Sequence, residues 1–103
     1  MREERLKAYL YGACFGRRYC ASGAELEQAL DINGTDLRKL VNRLRRKGVP
    51  VCSGRCGYFY AATAGEIYAT IQQLKRMVSG LEAAIRGLEQ ALDTFGGPAD
   101  DAP

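Results

Sequence analysis

The longest regular pattern of apolar positions lies in the C-terminal third of the chain. From residue 66 to about residue 92 an apolar side chain recurs at alternating intervals of four and three residues. The eight positions are Ile67, Ile71, Leu74, Val78, Leu81, Ile85, Leu88 and Leu92. This spacing is a heptad repeat, which places one apolar stripe along a helix. The pattern predicts a long C-terminal helix of the coiled-coil type, and we assign residues 63–95 to an oligomerisation segment.

Such a helix is unlike one that packs only on its own domain. At ~1.5 Å per residue, about 27 residues span roughly 40 Å, which exceeds the width of a domain of about 60 residues. Gly80 and Gly87 each cost about 1 kcal/mol of helix propensity. The helix therefore needs a partner, and the pattern favours a homodimer in which the eight apolar side chains form the dimer interface.

The orientation of that dimer stays open at this stage. Branched residues at Ile71, Val78 and Ile85, alternating with leucines, favour a parallel two-stranded coil. The flanking positions that include Met77 and Ala84 carry small or apolar side chains instead of charges. A widened apolar face of that kind favours antiparallel packing, or a bundle of more than two helices.

Three shorter helices are predicted in the first half of the chain. The first runs from residue 2 to about residue 13, since apolar residues recur there at helical spacing. The second opens at Ser22, which forms a capping box with Glu25 three residues later. The third, residues 34–47, opens at Asn33, and Asp36 is expected to complete a similar reciprocal pair.

The third helix has two unlike faces. Leu37, Leu40, Val41 and Leu44 form one apolar stripe. The opposite face carries Thr35, Lys39, Asn42 and Arg46, with Arg38 and Arg45 along one edge and Arg43 and Asp36 along the other. A solvated face would also be polar, but exposed helices usually mix charge signs, whereas this one is almost wholly cationic. Such side chains suit the DNA major groove, because arginine, lysine and asparagine donate to base edges and phosphates.

A β-hairpin is predicted directly after this helix. Residues 49–52 and 58–61 are rich in branched or aromatic side chains, and a turn carrying Gly54 and Gly57 separates them. Its tip is expected at the sequence SGRC. Tyr58 and Tyr60 lie on one side of the second strand and Phe59 on the other, and core packing is favoured over base stacking for these rings.

The order of these elements suggests a family. Residues 30–61, LDINGTDLRKLVNRLRRKGVPVCSGRCGYFYA, resemble the N-terminal DNA-binding domain of biotin repressors and other winged helix-turn-helix modules. The shared frame includes Leu30 before the turn, the cap at Asn33, the segment LRRKGVPV and the pair Gly57 and Tyr58. The resemblance implies a mainly α fold with a small β-hairpin, a winged helix-turn-helix, over residues 1–62.

The resemblance also implies that the third helix and the hairpin contact different parts of the DNA. The third helix of that family enters the major groove, and the hairpin, or wing, lies over the backbone. The residues expected to meet DNA are Thr35, Arg38, Lys39, Asn42, Arg43 and Arg46 in the helix, with Ser53 and Arg55 in the wing of residues 53–57. It implies no catalytic activity.

Composition and charge change this picture little. The chain has 103 residues and a net charge of +3, and it contains no histidine. Residues 1–60 hold twelve lysines and arginines against six acids, and residues 61–103 hold three against six. The first part therefore has the charge of a polyanion binder. No motif for nucleotide binding, nucleophilic catalysis or metal binding stands out, so we expect neither an enzyme nor a cofactor.

Four cysteines, Cys14, Cys20, Cys52 and Cys56, leave several possibilities open. Four reduced thiols are favoured, since no secretory context is apparent. A zinc site is disfavoured because its spacers would be longer than usual, and a hairpin disulfide between Cys52 and Cys56 is a third possibility.

With no apparent leader or apolar membrane span, we expect a cytoplasmic protein that binds no membrane, and a disordered tail over residues 96–103.

These observations together predict a small, sequence-specific, dimeric DNA-binding protein in transcriptional regulation. Two other roles fit the same residues: a phage or mobile-element protein of DNA replication or packaging, and a winged-helix adaptor that binds proteins. A redox or metal sensor built on the four cysteines would require them to lie close together in the fold.

Overall fold

A computed structural model of the chain describes residues 2–95. Within that range it is mainly helical, with a two-stranded antiparallel hairpin and a long C-terminal helix, as predicted. The elements are α1 (Arg2–Ala13), a short 3-10 helix (Arg17–Tyr19), α2 (Gly23–Leu30), α3 (Gly34–Arg46), β1 (Val51–Gly54), β2 (Gly57–Tyr60) and α4 (Ala64–Thr94). The chain divides into two compact units, Met1–Thr70 and Ile71–Pro103. The predicted disordered tail, residues 96–103, lies outside the described residues.

The predicted helix starts are largely confirmed. The Ser22 hydroxyl accepts a hydrogen bond from the Glu25 amide at 3.1 Å, and the Glu25 carboxylate accepts one from the Ser22 amide at 2.8 Å. At α3 the Asn33 side chain accepts from the Asp36 amide at 2.8 Å. The expected return bond from Asp36 is absent, because its carboxylate instead accepts from Arg2 of α1 at 2.9 Å.

The core of the first unit lies between α1, α2, α3 and the hairpin. The predicted apolar stripe of α3 is confirmed, since all four of its members are buried. The most completely buried large side chains are Phe59, Leu6, Leu10, Leu26, Leu37, Leu44 and Cys52. Phe59 therefore packs in the core as expected, and Tyr58 and Tyr60 pack against it from the rim.

The hairpin reaches closer to its tip than predicted. Its register pairs Val51 with Tyr60 and Gly54 with Gly57, so only two residues form the turn. The two glycines belong to the strands, not to the turn. Gly57 has a φ of +126°, and a Cβ there would collide with the backbone of Ala21, so this position requires glycine.

β2 is hydrogen-bonded along both of its edges. On the edge away from β1, Tyr58 and Ala21 exchange two backbone hydrogen bonds of 2.9 and 2.7 Å. Tyr60 donates to the Cys14 carbonyl at 2.8 Å and accepts from the Gly16 amide at 2.7 Å. The loop between α1 and α2 thus runs alongside the hairpin and fixes its position in the unit. In this loop Ala21 forms an isolated antiparallel bridge with Tyr58, directly after the 3-10 helix.

α4 begins two residues earlier than predicted. The Thr63 hydroxyl accepts from the Glu66 amide at 3.2 Å, and the Glu66 carboxylate accepts from the Ala62 amide at 2.7 Å. The same carboxylate accepts from the Arg17 amide at 3.0 Å. These bonds to backbone amides lower the pKa of Glu66, with the bond from Arg17 as the largest cause. Glu66 therefore joins the start of α4 to the loop after α1.

One turn later Thr70 contacts the hairpin. Thr70 is only 5 % exposed. Its hydroxyl accepts from the Ser53 amide at 3.3 Å and lies 3.5 Å from the Ser53 carbonyl oxygen, to which it donates. The start of α4 thus covers the outer edge of β1. None of the described helices combines the length and the apolar character that crossing a lipid bilayer requires.

Candidate nucleic-acid interface

The polar face of α3 is exposed over its whole length. Its apolar residues are between 1 and 6 % exposed, so the other side of the helix points to solvent. All six α3 residues singled out from the sequence lie on that exposed side: Thr35, Arg38, Lys39, Asn42, Arg43 and Arg46. They are accessible to a ligand that approaches from solvent.

One edge of this face is partly neutralised by α1. Glu3 pairs with Lys47 and lies 3.7 Å from Arg43. The hydrogen bond from Lys47 is the largest cause of the lowered pKa of Glu3. Arg2 pairs with Asp36 at 2.9 Å and lowers the pKa of that carboxyl group. The predicted DNA-binding residue Arg43 therefore has a carboxylate neighbour in the free protein, and a DNA phosphate would compete with that carboxylate for Arg43.

These pairs border a shallow concavity of about 270 Å³ between α1 and α3. Arg2, Glu3, Asp36, Lys39, Leu40 and Arg43 line it. These contacts could not be read from the sequence, because the paired residues are at least 34 positions apart and both helices look amphipathic on their own. Opposite charges at their ends were the only available signal, and many pairings were compatible with it.

The middle and the other edge of the face stay cationic. Within residues 2–95 no carboxylate lies within 4 Å of Arg38, Lys39 or Arg46, whereas three ion pairs occur elsewhere. Thr35 and Asn42 lie on the same exposed side. The outcome is a row of three cations, one hydroxyl and one amide along about three turns of helix. We call these five residues the α3 row.

Arg45 points away from that row and into the unit. Its Nε donates to the Val51 carbonyl at 2.8 Å, and its Nη2 donates to the Ser53 hydroxyl at 3.0 Å. Burial lowers its pKa from the usual arginine value. This guanidinium therefore fixes α3 to β1. In the sequence Arg45 is one of several basic residues at the end of the helix, and nothing there separates it from the others.

The hairpin tip presents one cation to solvent. Arg55 is an exposed turn residue, and within the described residues it has no ion-pair partner. Ser53, the other predicted wing residue, lies further back in β1 and is half-buried, with its hydroxyl bonded to Arg45. Of the two predicted wing residues, Arg55 therefore faces solvent, whereas Ser53 faces the interior of the unit.

The cysteines are arranged differently from the expectation of four reduced thiols. Cys20 and Cys56 form a disulfide, with Cα atoms 6.0 Å apart, which is an ordinary separation for this bond. The alternative Cys52–Cys56 bond is wrong, because Cys52 is buried while Cys56 lies in the exposed turn. Cys14 and Cys52 are free and buried, as expected of small apolar residues. Burial also raises the pKa of Cys14.

The disulfide ties the hairpin tip to the loop before α2. Together with Arg45 and the two bonded edges of β2, it fixes the exposed turn relative to α3. In the part of the chain that the structure describes, no group of three or more histidine, cysteine, aspartate or glutamate side chains is arranged to hold a metal ion.

The predicted dimerisation residues lie along α4. Seven of the eight are exposed, from 37 % at Ile67 to 70 % at Leu88, and Leu74 is half-buried. The remaining exposed members are Ile71, Val78, Leu81, Ile85 and Leu92. An exposed row of large apolar side chains of this length is unusual on a protein surface that has no partner.

The comparisons with known proteins do not assign a family. No protein-family model, curated protein or solved structure matches this chain. The resemblance of residues 30–61 to winged helix-turn-helix domains therefore stays a prediction.

Proposed function

We propose that this chain is a sequence-specific double-stranded DNA-binding protein of the winged helix-turn-helix type. It acts in the cytoplasm as a dimeric regulator of transcription, with α3 in the major groove and the hairpin tip on the backbone. The observation that carries this proposal is the α3 row, a solvent-facing line of cations and hydrogen-bonding groups next to an exposed arginine turn.

The dimensions and chemistry of α3 support this role. Its 13 residues span roughly 20 Å, and the major groove, about 12 Å wide, admits a helix. Arg38, Lys39 and Arg46 can donate to guanine or to phosphate, and Asn42 can bond adenine through two atoms. Thr35, in the first turn, can bond a phosphate or contact a thymine methyl group.

The hairpin supplies the second contact. Arg55 donates to a backbone phosphate from the turn, and the Ser53 hydroxyl, bonded to Arg45, fixes the strand behind it to α3. Because Arg45 and the hydrogen bonds of β2 hold the hairpin against the unit, little conformational freedom is lost when Arg55 binds. Preorganisation of this kind raises affinity without adding contacts.

A dimer through the apolar residues of α4 completes the proposal. One unit offers about half a dozen contacts, and two linked units bind two half-sites with much higher combined affinity. A dimer with two-fold symmetry is matched by a site of palindromic character.

The first test measures binding to random duplex DNA across a range of salt concentrations. Lys39→Ala and Arg46→Ala should each weaken binding and reduce the salt slope by about 0.9, the value for one phosphate contact. Arg86→Ala on α4 makes the same kind of charge change outside the proposed interface and should leave the slope unchanged. Wild-type slopes in both α3 variants would contradict the proposal.

The second test addresses sequence specificity. Selection of bound duplexes from a random pool should return a preferred sequence, and Asn42→Ala should relax the preference at one position while nonspecific binding persists. No binding to duplex DNA at low salt would instead favour a protein-binding adaptor, for which the exposed residues of α4 already offer a surface.

A further inference from the structure

The apolar row on α4 specifies its partner more closely than the heptad spacing alone does. We propose that α4 pairs with α4 of a second copy in the antiparallel direction, with Val78 of each chain opposite Leu81 of the other. This inference rests on the proposed dimer, and it adds an orientation and a register.

Every apolar layer is matched in this register. Ile71 lies opposite Leu88 of the second copy, and Ile85 lies opposite its Leu74. The outermost layer pairs Ile67 with Leu92. Each of the layers therefore combines one branched residue with one leucine, so all have nearly equal side-chain volume, and no apolar position is left without a partner. Uniform layers allow two helices to pack at a constant distance.

Charge complementarity favours the same register. In the antiparallel arrangement, the residues that directly follow the core leucines lie along one edge of the seam. The residue after Leu74 on one helix meets the residue after Leu81 on the other. Lys75 then lies beside Glu82 of the second copy, and symmetry repeats the pair, which gives two ion pairs across the seam. Both residues are exposed in the single chain. Within the described residues neither forms an ion pair inside its own chain.

The other edge of the seam is closed by small side chains. There the antiparallel register brings Met77 beside Ala84 of the second copy, while Thr70, at the end of that edge, is buried against the hairpin of its own chain. A long flexible side chain against a methyl group allows close approach on that edge. Apolar flanking positions, which are unusual for a parallel dimer, are thus accommodated.

A parallel pair of the same helices lacks these features. With the helices in parallel register, Lys75 would flank Thr70, and Glu82 would flank Met77. No opposite charges would meet across the seam, and each core layer would hold two identical residues. The electrostatic difference therefore favours the antiparallel direction.

The distribution of charge along α4 agrees with this direction. Between Ala64 and Ser79 the charged residues are Lys75 and Arg76, both basic, and Glu66, whose carboxylate is bonded to backbone amides at the helix start. Beyond that point three of the four charged residues are acidic: Glu82, Glu89 and Asp93, with Arg86 the exception. The change of sign falls at the proposed centre, so the antiparallel arrangement places the basic half of each helix beside the acidic half of its partner.

Cysteine cross-linking of the full chain tests orientation and register. Two variants are prepared, Ile71→Cys and Leu88→Cys, and each is oxidised mildly alone and in an equal mixture. In the proposed register the two sites face each other, while copies of residue 88 lie about 26 Å apart along the coil. The mixture should therefore yield a covalent dimer and each variant alone should not. Wild-type protein is the control for the native cysteines.

The opposite result is equally clear. Efficient cross-linking of Leu88→Cys alone would show a parallel pair and overturn the proposal. Sedimentation equilibrium of the wild-type chain should give twice the chain mass, and a monomer or a larger assembly would overturn it as well.

Charge reversal gives an independent test that leaves the core untouched. Lys75→Glu and Glu82→Lys should each weaken the dimer roughly three- to tenfold, since each replaces two attractive pairs with repulsive ones. Mixing the two variants should restore association, because one carries only acids at these sites and the other only bases. Arg76→Glu, a matched charge change on the outer surface, should have little effect.

Equal losses in all three variants, or no recovery on mixing, would contradict the register. None of these measurements involves DNA. If the chain dimerises as proposed but binds no duplex DNA, only the proposed function is contradicted. If it binds DNA but cross-links as a parallel pair, only this inference is contradicted.

Discussion

α3 and α4 carry the same kind of apolar stripe, but the stripe of α3 is buried within the chain and that of α4 is largely exposed. On α3, Leu37 and Leu44 are almost completely buried, because α1, α2 and β1 contact that helix. On α4, Leu81 and Leu88 are each about two-thirds exposed. The spacing of apolar residues thus identifies the face of a helix that needs covering, but not the element that covers it.

The difference has an energetic consequence. The α3 stripe stabilises its unit at any protein concentration, because its partners belong to the same chain. A stripe that is covered by a second copy contributes only when the concentration exceeds the dissociation constant. The two regions therefore respond differently to the same substitutions.

The largest expected effect comes from truncating one leucine in each stripe. Leu44→Ala should destabilise the first unit by about 2–5 kcal/mol at every protein concentration, since it leaves a cavity in a closed core. Leu88→Ala should not destabilise that unit, and its effect should appear only as weaker dimerisation. Urea unfolding followed by tyrosine fluorescence at several concentrations measures both. A concentration-independent loss in Leu88→Ala would show that this stripe is covered within the chain.

Breaking the disulfide between Cys20 and Cys56 should have the next largest effect, and it should act on the first unit alone. The two residues are 36 positions apart, and a disulfide that closes such a loop typically stabilises a protein by about 2–4 kcal/mol. Reduction should lower the free energy of unfolding of the wild type by this amount. The Cys20→Ser/Cys56→Ser variant should start from the lower value and be insensitive to reductant. A reductant effect in that variant would assign the change to another group.

Glycine substitutions should have opposite signs in the two regions. A Cβ at Gly80 of α4 meets no atom within 4 Å, so Gly80→Ala should stabilise the helix by about 1 kcal/mol. Gly57→Ala in the hairpin should destabilise the first unit by more than that, because of its positive φ and the backbone of Ala21. Circular dichroism during thermal unfolding measures both. Destabilisation by Gly80→Ala would mean that a partner packs closely against the outer face of α4.

The smallest effect concerns acid sensitivity. The folded-state pKa of Glu66 lies below its ordinary value, chiefly because of the hydrogen bond from the Arg17 amide. Its stabilising contribution is therefore complete above the unfolded pKa, about 4.3, and is lost as the pH falls through the folded pKa. Glu66→Gln should be less stable than the wild type at neutral pH, and the difference should vanish in acid. A difference that persists at about pH 2 would contradict a charge-based contribution.

Local features of the fold were predictable from the sequence. The starts of α2 and α3 follow from Ser22 and Asn33, whose side chains cap amides three residues away in the chain. The buried face of α3 follows from its spacing. The early start of α4 was also available in principle, since Thr63 caps the Glu66 amide as Ser22 caps the Glu25 amide, although the Glu66 carboxylate bonds the Ala62 amide instead of its cap residue.

Contacts between residues distant in sequence were not predictable in this way. Arg45 and Arg46 are neighbours of one type, yet one bonds to β1 and the other faces solvent, and only the position of the hairpin decides which. Glu3 neutralises part of the α3 face from another helix. The disulfide likewise depends on the course of the loop beside β2, which no spacing of cysteines indicates.

The contact between Thr70 and Ser53 has a further consequence for the edge of the hairpin. An open strand edge is a site where a second polypeptide can add by backbone pairing, which leads to aggregation. Here one hydroxyl from α4 occupies both the amide and the carbonyl at the outer edge of β1, and the loop after α1 occupies the far edge of β2. Within residues 2–95, backbone pairing of a second polypeptide at these positions of the hairpin would therefore have to displace hydrogen bonds that already exist.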